Sequence, residues 1–163
     1  VRTVHSMRTQ RKTVLVAEDD PDDRLLLKEA FAERFGDGVP LVFVNDGVEL
    51  IEHLISLSDV NAALPSVILL DINMPRMNGL QALERIKAHS RMKTIPCAML
   101  STSNSPEMVN LAYQLGASSY FQKPATFHEM VELASVVHLS WLSLPHNLAG
   151  AAQAITLNYF NKE

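Results

Sequence analysis

Acidic residues follow two short apolar segments, 13–17 and 67–70, that have the pattern of buried strands. These residues are Glu18, Asp19 and Asp20 after the first segment and Asp71 after the other. If the two strands lie parallel and adjacent, the carboxylates converge at one edge of a sheet, where open α/β sheets bind their ligands. Such crowding is electrostatically unfavourable unless a cation lies among the carboxylates. Oxygen ligands with no Cys or His nearby suit Mg²⁺ better than zinc.

Five strand-like segments alternate with five helical patterns along the chain. The predicted strands cover 13–17, 40–45, 67–71, 95–100 and 118–122. The predicted helices cover 20–35, 48–57, 80–89, 105–115 and 126–142. This alternation predicts an α/β fold with one five-stranded parallel sheet that is covered by helices on both faces. The carboxyl ends of all five strands then share one edge.

The first predicted helix begins with a clear signal, since Asp20 can cap it and Pro21 suits its first position. A purely capping role is therefore open for Asp20, and also for Asp71 at its strand end. The helix is expected to stop at Gly36, and helical spacing directs five of its apolar residues inward. These residues are Leu25, Leu26, Ala30, Phe31 and Phe35.

Five polar residues gather at the predicted edge, each at or just past a strand end. They are Glu18, Asp19, Asp71, Ser101 and Lys123. Taken singly, each has an ordinary explanation as a solvated loop residue or a turn hydroxyl. Together they predict a phosphoryl-acceptor site, in which an aspartate attacks phosphorus while a divalent cation and an ammonium hold the charge of the phosphoryl oxygens.

The motifs around these residues resemble the response-regulator receiver domains of bacterial two-component signalling, over about residues 13–142. The matching motifs are Val-Leu-Val-Ala-Glu18-Asp19-Asp20, Leu-Leu-Asp71-Ile-Asn-Met-Pro75 with Gly79, Leu100-Ser101, and Gly116-Ala117-Ser-Ser-Tyr120-Phe-Gln-Lys123-Pro124. The resemblance implies a flavodoxin-like, doubly wound (βα)5 fold. It also implies that Asp71 accepts a phosphoryl group from a phosphohistidine of a sensor histidine kinase.

The resemblance further implies a role for each matching residue. Mg²⁺ or Mn²⁺ would be held by Asp19 directly, by Asp71, by the backbone carbonyl of Asn73, and by Glu18 through water. Lys123 would pair with the phosphate, and the Lys123–Pro124 bond is expected to be cis. Ser101 and Tyr120 match the two switch positions, where a hydroxyl and a ring move together. Ser101 departs from the commoner threonine, which keeps the hydroxyl but loses the β-branch. The residues expected beside this site are Asp20, Thr102 and Pro124.

The first acidic motif, residues 18–23, and the segment 44–47 resemble most the stand-alone regulators associated with phytochrome-type histidine kinases. The expected partners are a sensor kinase, for which a bacteriophytochrome is one candidate, and a downstream protein. The chain is predicted to accept phosphate and release it slowly by hydrolysis rather than to act as a conventional enzyme. The alternative is a scaffold, or pseudo-receiver, whose site is vestigial. An aspartyl phosphatase needs a second Asp at the position of Asn73.

Composition limits the other classes of function. The chain has 163 residues, 47% hydrophobic and 20% charged residues, and a net charge of −4, which suits one domain with tails and gives no electrostatic attraction to nucleic acid. No apolar run approaches the roughly 18 residues of a membrane span, and no signal peptide is recognisable, so a cytoplasmic protein is expected. The single cysteine, Cys97, is predicted to be an inert buried thiol. No G-x-x-x-x-G-K-[ST] or G-x-G-x-x-G motif predicts nucleotide binding.

Three segments are predicted: a disordered leader at 1–12, the receiver domain at 13–142 and a tail at 143–163. The last helix carries apolar residues over more of its circumference than one sheet face requires, which favours a homodimer through this helix and the tail. These residues are Met130, Val131, Leu133, Val136, Val137, Leu139, Trp141 and Leu142. In the alternative, the tail folds back on its own domain or is disordered.

Overall fold

The computed structural model describes residues 11–143 of the chain. Five strands alternate with five helices, as predicted. The strands are β1 (Val14–Ala17), β2 (Leu41–Val44), β3 (Val67–Asp71), β4 (Cys97–Ser101) and β5 (Ser119–Gln122). The helices are α1 (Pro21–Phe35), α2 (Gly47–Asp59), α3 (Gly79–Ala88), α4 (Pro106–Gln114) and α5 (Phe127–Val137). A π-helical turn, His138–Leu142, extends α5.

The strands form one parallel sheet in the order β2-β1-β3-β4-β5. The chain therefore winds outward in one direction from β1 to β2 and in the other direction from β3 onward. The carboxyl ends of β1 and β3 lie side by side where the direction changes. This is the position at which doubly wound sheets bind ligands, so the topology confirms the predicted flavodoxin-like fold and its predicted edge.

Strand residues alternate between two apolar layers, one on each face of the sheet. On one face Leu15, Ile68 and Leu70 pack with buried residues of α2 and α3. On the other face, Val16 and Leu69 pack with buried residues of α1 and α5. Because both faces are covered, β1, β3 and β4 are buried along their whole length, and their polar residues can emerge only at the strand ends.

The first helix begins and ends where the sequence predicted, but its buried face differs. Asp20 caps the helix by accepting hydrogen bonds from the backbone N–H groups of the first turn, and Gly36 follows the last residue with φ at +56°. The prediction that Leu25 and Leu26 point inward is wrong, since they are 54% and 38% exposed. The buried residue of this turn is Leu27, because it lies three and four residues before the buried Ala30 and Phe31 and so shares their face of the helix.

The last helix also corrects one expectation. Six of the eight large apolar residues between 130 and 142 are buried within the chain itself, Val131 is half-buried, and Leu139 is 47% exposed. The π-helical turn adds one residue to the repeat, which directs Trp141 and Leu142 back onto the layer formed with α1. The exposed apolar surface at this end is therefore mainly Leu139.

The predicted leader and tail fall almost wholly outside the described residues. Only Arg11 and Lys12 of the leader are described, as irregular backbone before β1, and of the tail only Ser143 is described. Among the described residues, no helix is long and apolar enough to cross a membrane.

Candidate functional site

The register between β1 and β3 brings three carboxylates together. Ala17 lies opposite Leu70, so the next residues along the two strands, Glu18 and Asp71, are neighbours at the sheet edge. Carboxylate oxygens of Glu18, Asp19 and Asp71 all lie within 4.8 Å of one another. Glu18 and Asp71 are buried, and Asp19 is exposed at the mouth of the site. The predicted convergence of acids is therefore present.

Lys123 reaches this cluster from the end of β5. Its ammonium lies 2.8 Å from Glu18 Oε2, 2.8 Å from Asp23 Oδ2 and 3.2 Å from Asp71 Oδ2. The backbone holds its position as well, because Lys123 N donates to the carbonyl of Ser101 at 2.7 Å. Three strands, β1, β3 and β5, thus supply one positive and several negative groups to one small volume.

The electrostatics of the cluster favour a bound cation. Burial raises the pKa of Glu18 to about 7, although the hydrogen bonds from Lys123 and from the backbone of Asp20 oppose this. Burial also raises the pKa of Asp71, against the charge of Lys123. Burial by itself would lower the pKa of Lys123, but its hydrogen bonds to Asp23 and Glu18 outweigh burial and raise this pKa. One ammonium cannot neutralise four carboxylates, so these groups fit a hard divalent cation.

The other predicted ligands and neighbours occupy clear positions. Asn73 is exposed, and its N–H donates to Asp71 Oδ1 at 3.2 Å, which holds the loop after β3 against the carboxylate. Asp20 caps α1, since its Oδ1 accepts from Asp22 N at 2.8 Å and from Asp23 N at 3.3 Å. Of the two capping alternatives, the one for Asp20 is therefore confirmed. Asp71 caps no helix, because α3 is capped by Asn78, but its Oδ1 does cap the turn after β3 by accepting from Asn73 N.

Ser101 and Tyr120 both bind the same residue, Ser103. Ser101 is buried at the end of β4, and its Oγ accepts from Ser103 N at 3.1 Å. The half-buried Tyr120 donates its hydroxyl to the carbonyl of Ser103 at 2.6 Å. A movement of the Ser101 hydroxyl would release the N–H of Ser103. The carbonyl of the same residue, Ser103, holds the Tyr120 ring by accepting the hydrogen bond from its hydroxyl. Ser103 was not predicted as part of the site.

One expectation at this edge is wrong. The described residues contain no cis peptide bond, so Lys123–Pro124 is trans. The trans isomer is the lower in energy even before proline, by about 0.5–1 kcal/mol. Pro124 is half-buried beside Lys123, whereas Thr102 is exposed and its carbonyl accepts a hydrogen bond from the side chain of Gln122.

Two glycines allow the loops around Asp71 to approach closely. A Cβ at Gly79 would lie 2.2 Å from the carbonyl oxygen of Asp71, and one at Gly47 would lie 2.6 Å from that of Met77. The N–H of Gly79 donates to the carbonyl of Ile72 at 2.9 Å. Larger residues at these positions would therefore displace the loop that follows the phosphoryl-acceptor candidate.

An ion pair also fixes this loop, and sequence reasoning missed it. Arg76 has a positive φ of 61° and contacts Asp46 Oδ2 through its terminal nitrogen at 2.6 Å. Asp46 is buried, and its Oδ1 caps α2 by accepting from Val48 N and Glu49 N. The loop after β3 is thus tied to the start of α2.

Asp23 was missed as well; it lies in the first turn of α1 and contacts Lys123. Its spacing of three from the cap residue Asp20 was the available signal. The prediction for Cys97 is confirmed, because the thiol is buried and burial raises its pKa to about 11. Among the described residues, no other group of Cys, His or acidic side chains could hold a metal ion.

Comparison with known proteins agrees with this arrangement. The family model described as the response regulator receiver domain matches residues 14–135. Because this match covers well over half of the chain, the protein belongs to the family of response-regulator receiver domains.

Three relatives illustrate the range of the family. The probable methanogenesis regulatory protein FilR2 of Methanothrix harundinacea is 30% identical over 79% of this chain and 83% of its own length. The crystal structure of the phosphorylated cyanobacterial phytochrome response regulator RcpA has 31% identity and a TM-score of 0.74, over 82% of this chain and 96% of that one. The Mn²⁺-bound response regulator Rcp1, a protein of Synechocystis sp., has 26% identity and a TM-score of 0.70 over the same shares, 82% and 96%.

Proposed function

We propose that this protein is a response regulator that accepts a phosphoryl group on Asp71 from a phosphohistidine of a sensor histidine kinase. The observation that carries the proposal is the contact of Asp71 with Lys123 at 3.2 Å inside a group of three carboxylates within 4.8 Å. A scaffold with a vestigial site has no need of these buried charges, which oppose folding unless the site is used. The phosphorylated relative RcpA shares this fold and supports the proposal.

In the proposed reaction, a carboxylate oxygen of Asp71 attacks phosphorus in line with the P–N bond of the phosphohistidine. The new P–O bond forms as the P–N bond breaks, and the imidazole nitrogen keeps the electron pair and takes a proton from solvent. Hydrolysis reverses the state when water attacks phosphorus, which releases inorganic phosphate and restores the carboxylate. The chain is then a phosphoryl acceptor with slow self-hydrolysis.

The residues around Asp71 would divide the work. Asp19, Asp71, the carbonyl of Asn73 and, through water, Glu18 would hold Mg²⁺ or Mn²⁺, which supplies charge neutralisation of the phosphoryl oxygens when bound. The Mn²⁺-bound relative Rcp1 supports this choice of metal. Lys123 pairs with a phosphoryl oxygen. Ser101 meets the phosphate after it is installed, and Tyr120 follows through Ser103.

The proposal extends to partners and location. A phytochrome-type kinase is the preferred donor, because RcpA is a phytochrome response regulator and the acidic motif at 18–23 resembles that group. The signal would leave by contact with a downstream protein rather than with nucleic acid, given the net charge of −4. A sensor kinase draws on cytoplasmic ATP, so the proposal includes a cytoplasmic location.

A homodimer through α5 and the segment 143–163 is a further part of the proposal. The described part of this surface exposes two large apolar residues, Phe127 of α5 at 42% and Leu139 of the π-helical turn at 47%. The segment 144–163 lies outside the described residues. Light scattering should give a dimer for the full chain at micromolar concentration and a monomer for a chain that ends at Leu144. A full-length monomer contradicts the dimer, and a shortened chain that dimerises equally well excludes the tail.

The phosphoryl-acceptor function is tested by intact mass after incubation with acetyl phosphate and Mg²⁺. The wild-type chain should gain one phosphoryl group, and EDTA should prevent the gain. Asp71→Asn should gain none, because the amide is a far poorer nucleophile. Exposed Asp22→Asn is the matched control and should label like the wild type. Equal labelling of Asp71→Asn contradicts the assignment, and an unlabelled wild type favours the scaffold alternative.

A further inference from the structure

Lys123 has a third carboxylate partner that the phosphoryl-acceptor site does not require. An ammonium has three N–H donors, and carboxylate oxygens of Glu18, Asp23 and Asp71 lie 2.8, 2.8 and 3.2 Å from its nitrogen. Glu18 and Asp71 belong to the cluster that fits a metal, but Asp23 does not. All three donor positions of Lys123 are therefore occupied before any phosphoryl group arrives.

The start of α1 holds Asp23 in this position. Its N–H donates to the capping side chain of Asp20 at 3.3 Å, so the first turn of the helix is fixed at the sheet edge. The side chain of Asp23 is 34% exposed. Its neighbour Asp22 is exposed, and within the described residues no hydrogen bond or ion pair joins its side chain to the carboxylate cluster or to Lys123. The two residues share the helix turn and the charge, but only Asp23 touches Lys123.

A phosphoryl group on Asp71 changes the balance at Lys123. The carboxylate of Asp71 carries one negative charge, whereas the acyl phosphate formed from it carries about two at neutral pH. A phosphoryl oxygen can pair with Lys123 only by taking a donor from one of its present partners. Glu18 belongs to the group that would hold a metal ion, so Asp23 is the partner of Lys123 that would keep its hold on the ammonium when a metal is bound. Its own negative charge also repels the phosphoryl oxygens.

We propose that Asp23 is a positioning residue that holds Lys123 in the unphosphorylated protein and competes with the phosphoryl group for its ammonium. The second half of this inference rests on the proposed phosphorylation of Asp71, whereas the first half does not. Asp23 thereby weakens the phosphorylated state relative to the resting state. It sets how easily the chain is switched on without taking part in the chemistry.

The hold on Lys123 is tested in the absence of phosphate. The full chain is treated briefly with N-acetoxysuccinimide, and acetylation of Lys123 is read from its peptide by mass spectrometry. Asp23→Asn should raise the rate at Lys123 by about two- to fivefold, the range expected for loss of one partly exposed ion pair. Asp22→Asn should leave this rate unchanged, and Asp23→Glu should restore most of the protection. Equal rates in Asp23→Asn and Asp22→Asn contradict the hold.

The competition is tested with beryllofluoride, which binds an aspartate carboxylate as a mimic of the phosphoryl group. Its dissociation constant is measured by titration calorimetry at saturating Mg²⁺, so that differences in metal affinity do not contribute. Asp23→Asn should bind about two- to fivefold more tightly than Asp22→Asn, which loses the same charge from the same helix turn. Thermal unfolding of both variants controls for a purely structural effect.

Each outcome decides one part. Weaker or equal binding by Asp23→Asn contradicts the competition. A wild-type chain that does not bind beryllofluoride contradicts the proposed function and the competition together, while the acetylation result still decides whether Asp23 holds Lys123.

Discussion

Two buried aspartates in this protein have the same exposure and opposite electrostatic character. Asp46 and Asp71 are each 3% exposed; Asp71 is the last residue of β3, and Asp46 lies two residues after the end of β2 in the same sheet. Burial raises the pKa of Asp71, and the positive charge of Lys123 offsets only part of this rise. Burial acts on Asp46 in the same direction, but the N–H of Glu49 and the guanidinium of Arg76 outweigh it and lower the pKa of Asp46.

The difference lies in what the surroundings supply. Asp46 receives two backbone N–H groups at the start of α2 and two nitrogens of Arg76, at 2.7 and 2.6 Å, so its charged form is fully satisfied. Asp71 receives one N–H, from Asn73, and shares its lysine with Glu18 and Asp23. A buried carboxylate with complete partners stabilises a loop. One with incomplete partners is left able to bind a cation and to react.

The comparison predicts opposite effects of the same substitution on stability. Asp46→Asn keeps the helix cap but leaves Arg76 with only its longer contact to Glu49 Oε1, at 3.8 Å, and should lower the free energy of unfolding by about 2–3 kcal/mol, less than for a fully buried pair because Arg76 is 54% exposed. Asp71→Asn removes a charge that the fold disfavours, and should raise the free energy of unfolding at pH 8 without metal. Urea unfolding at pH 8 in EDTA measures both values.

A double variant sharpens this first prediction. Arg76→Gln combined with Asp46→Asn should recover part of the loss, because no unpaired charge remains. If Asp71→Asn is destabilised as strongly as Asp46→Asn, then the two carboxylates are not distinguished in the way proposed.

The second prediction concerns pH. The pKa of Glu18 is raised above its ordinary value, from 4.5 to about 7, so its contribution to stability is fully present below about pH 4.5 and is lost as the pH rises through 7. Without metal, the free energy of unfolding of the wild type should fall by about 1–2 kcal/mol between pH 5.5 and 8, relative to that of Glu18→Gln. Burial lowers the pKa of His138 and acts in the opposite direction, but both chains share that residue.

Saturating Mg²⁺ should reverse this slope in the wild type, because a metal ion binds the ionised carboxylates and stabilises the folded chain that holds them. Mg²⁺ should raise the free energy of unfolding of Glu18→Gln by less than that of the wild type. A wild-type stability that does not respond to Mg²⁺ at pH 8 would be incompatible with a metal site at this edge. Asp46 should contribute nothing over this range, since its lowered pKa places its loss of stability in acid, below about pH 4.

The smallest effect is expected at Ser101. Ser101→Ala should accept phosphate within about twofold of the wild-type rate and should change the unfolding free energy by roughly 1 kcal/mol or less, because the hydroxyl makes one neutral hydrogen bond. It should nevertheless fail to pass the signal to Tyr120. The measurement is the NMR shift of the Ser103 amide and the Tyr120 ring when beryllofluoride is added.

Ser101→Thr provides the matched control for this prediction, since it keeps the hydroxyl and restores the β-branch that the family more often has. It should show the shift that Ser101→Ala lacks. A full shift of Tyr120 in Ser101→Ala means that the ring responds to phosphate by another route, and loss of phosphorylation in this variant means that the hydroxyl takes part in the chemistry.

The fold could be predicted almost completely, because parallel strands buried on both faces have an unmistakable apolar pattern and must end in polar residues. The alternation of five strands with five helices predicted the parallel sheet. The polar residues at or just past its strand ends were the candidate site residues, namely Glu18, Asp19, Asp71, Ser101 and Lys123. Three consecutive leucines start the apolar part of α1, and the spacing to Ala30 and Phe31 favours Leu27, so the prediction that Leu25 and Leu26 point inward is wrong.

Contacts between distant loops could not be predicted for a related reason. Arg76 and Asp46 are thirty residues apart, and Asp23 and Lys123 a hundred, so neither pair forms a local motif. Both pairs depend on where one helix begins relative to a strand end. The link through Ser103 depends on the path of a loop, which follows from packing rather than from residue type.

The central claim, that Asp71 itself carries the phosphoryl group, is tested most directly by locating the modification. The full chain is phosphorylated with acetyl phosphate and Mg²⁺, reduced with borohydride, digested, and sequenced by mass spectrometry. Borohydride converts a phosphoaspartate to homoserine and leaves a free carboxylate unchanged. Homoserine at position 71 and at no other acidic residue is the predicted result. Homoserine at Asp19 or Asp23, or a labelled chain with unmodified Asp71, would contradict the account.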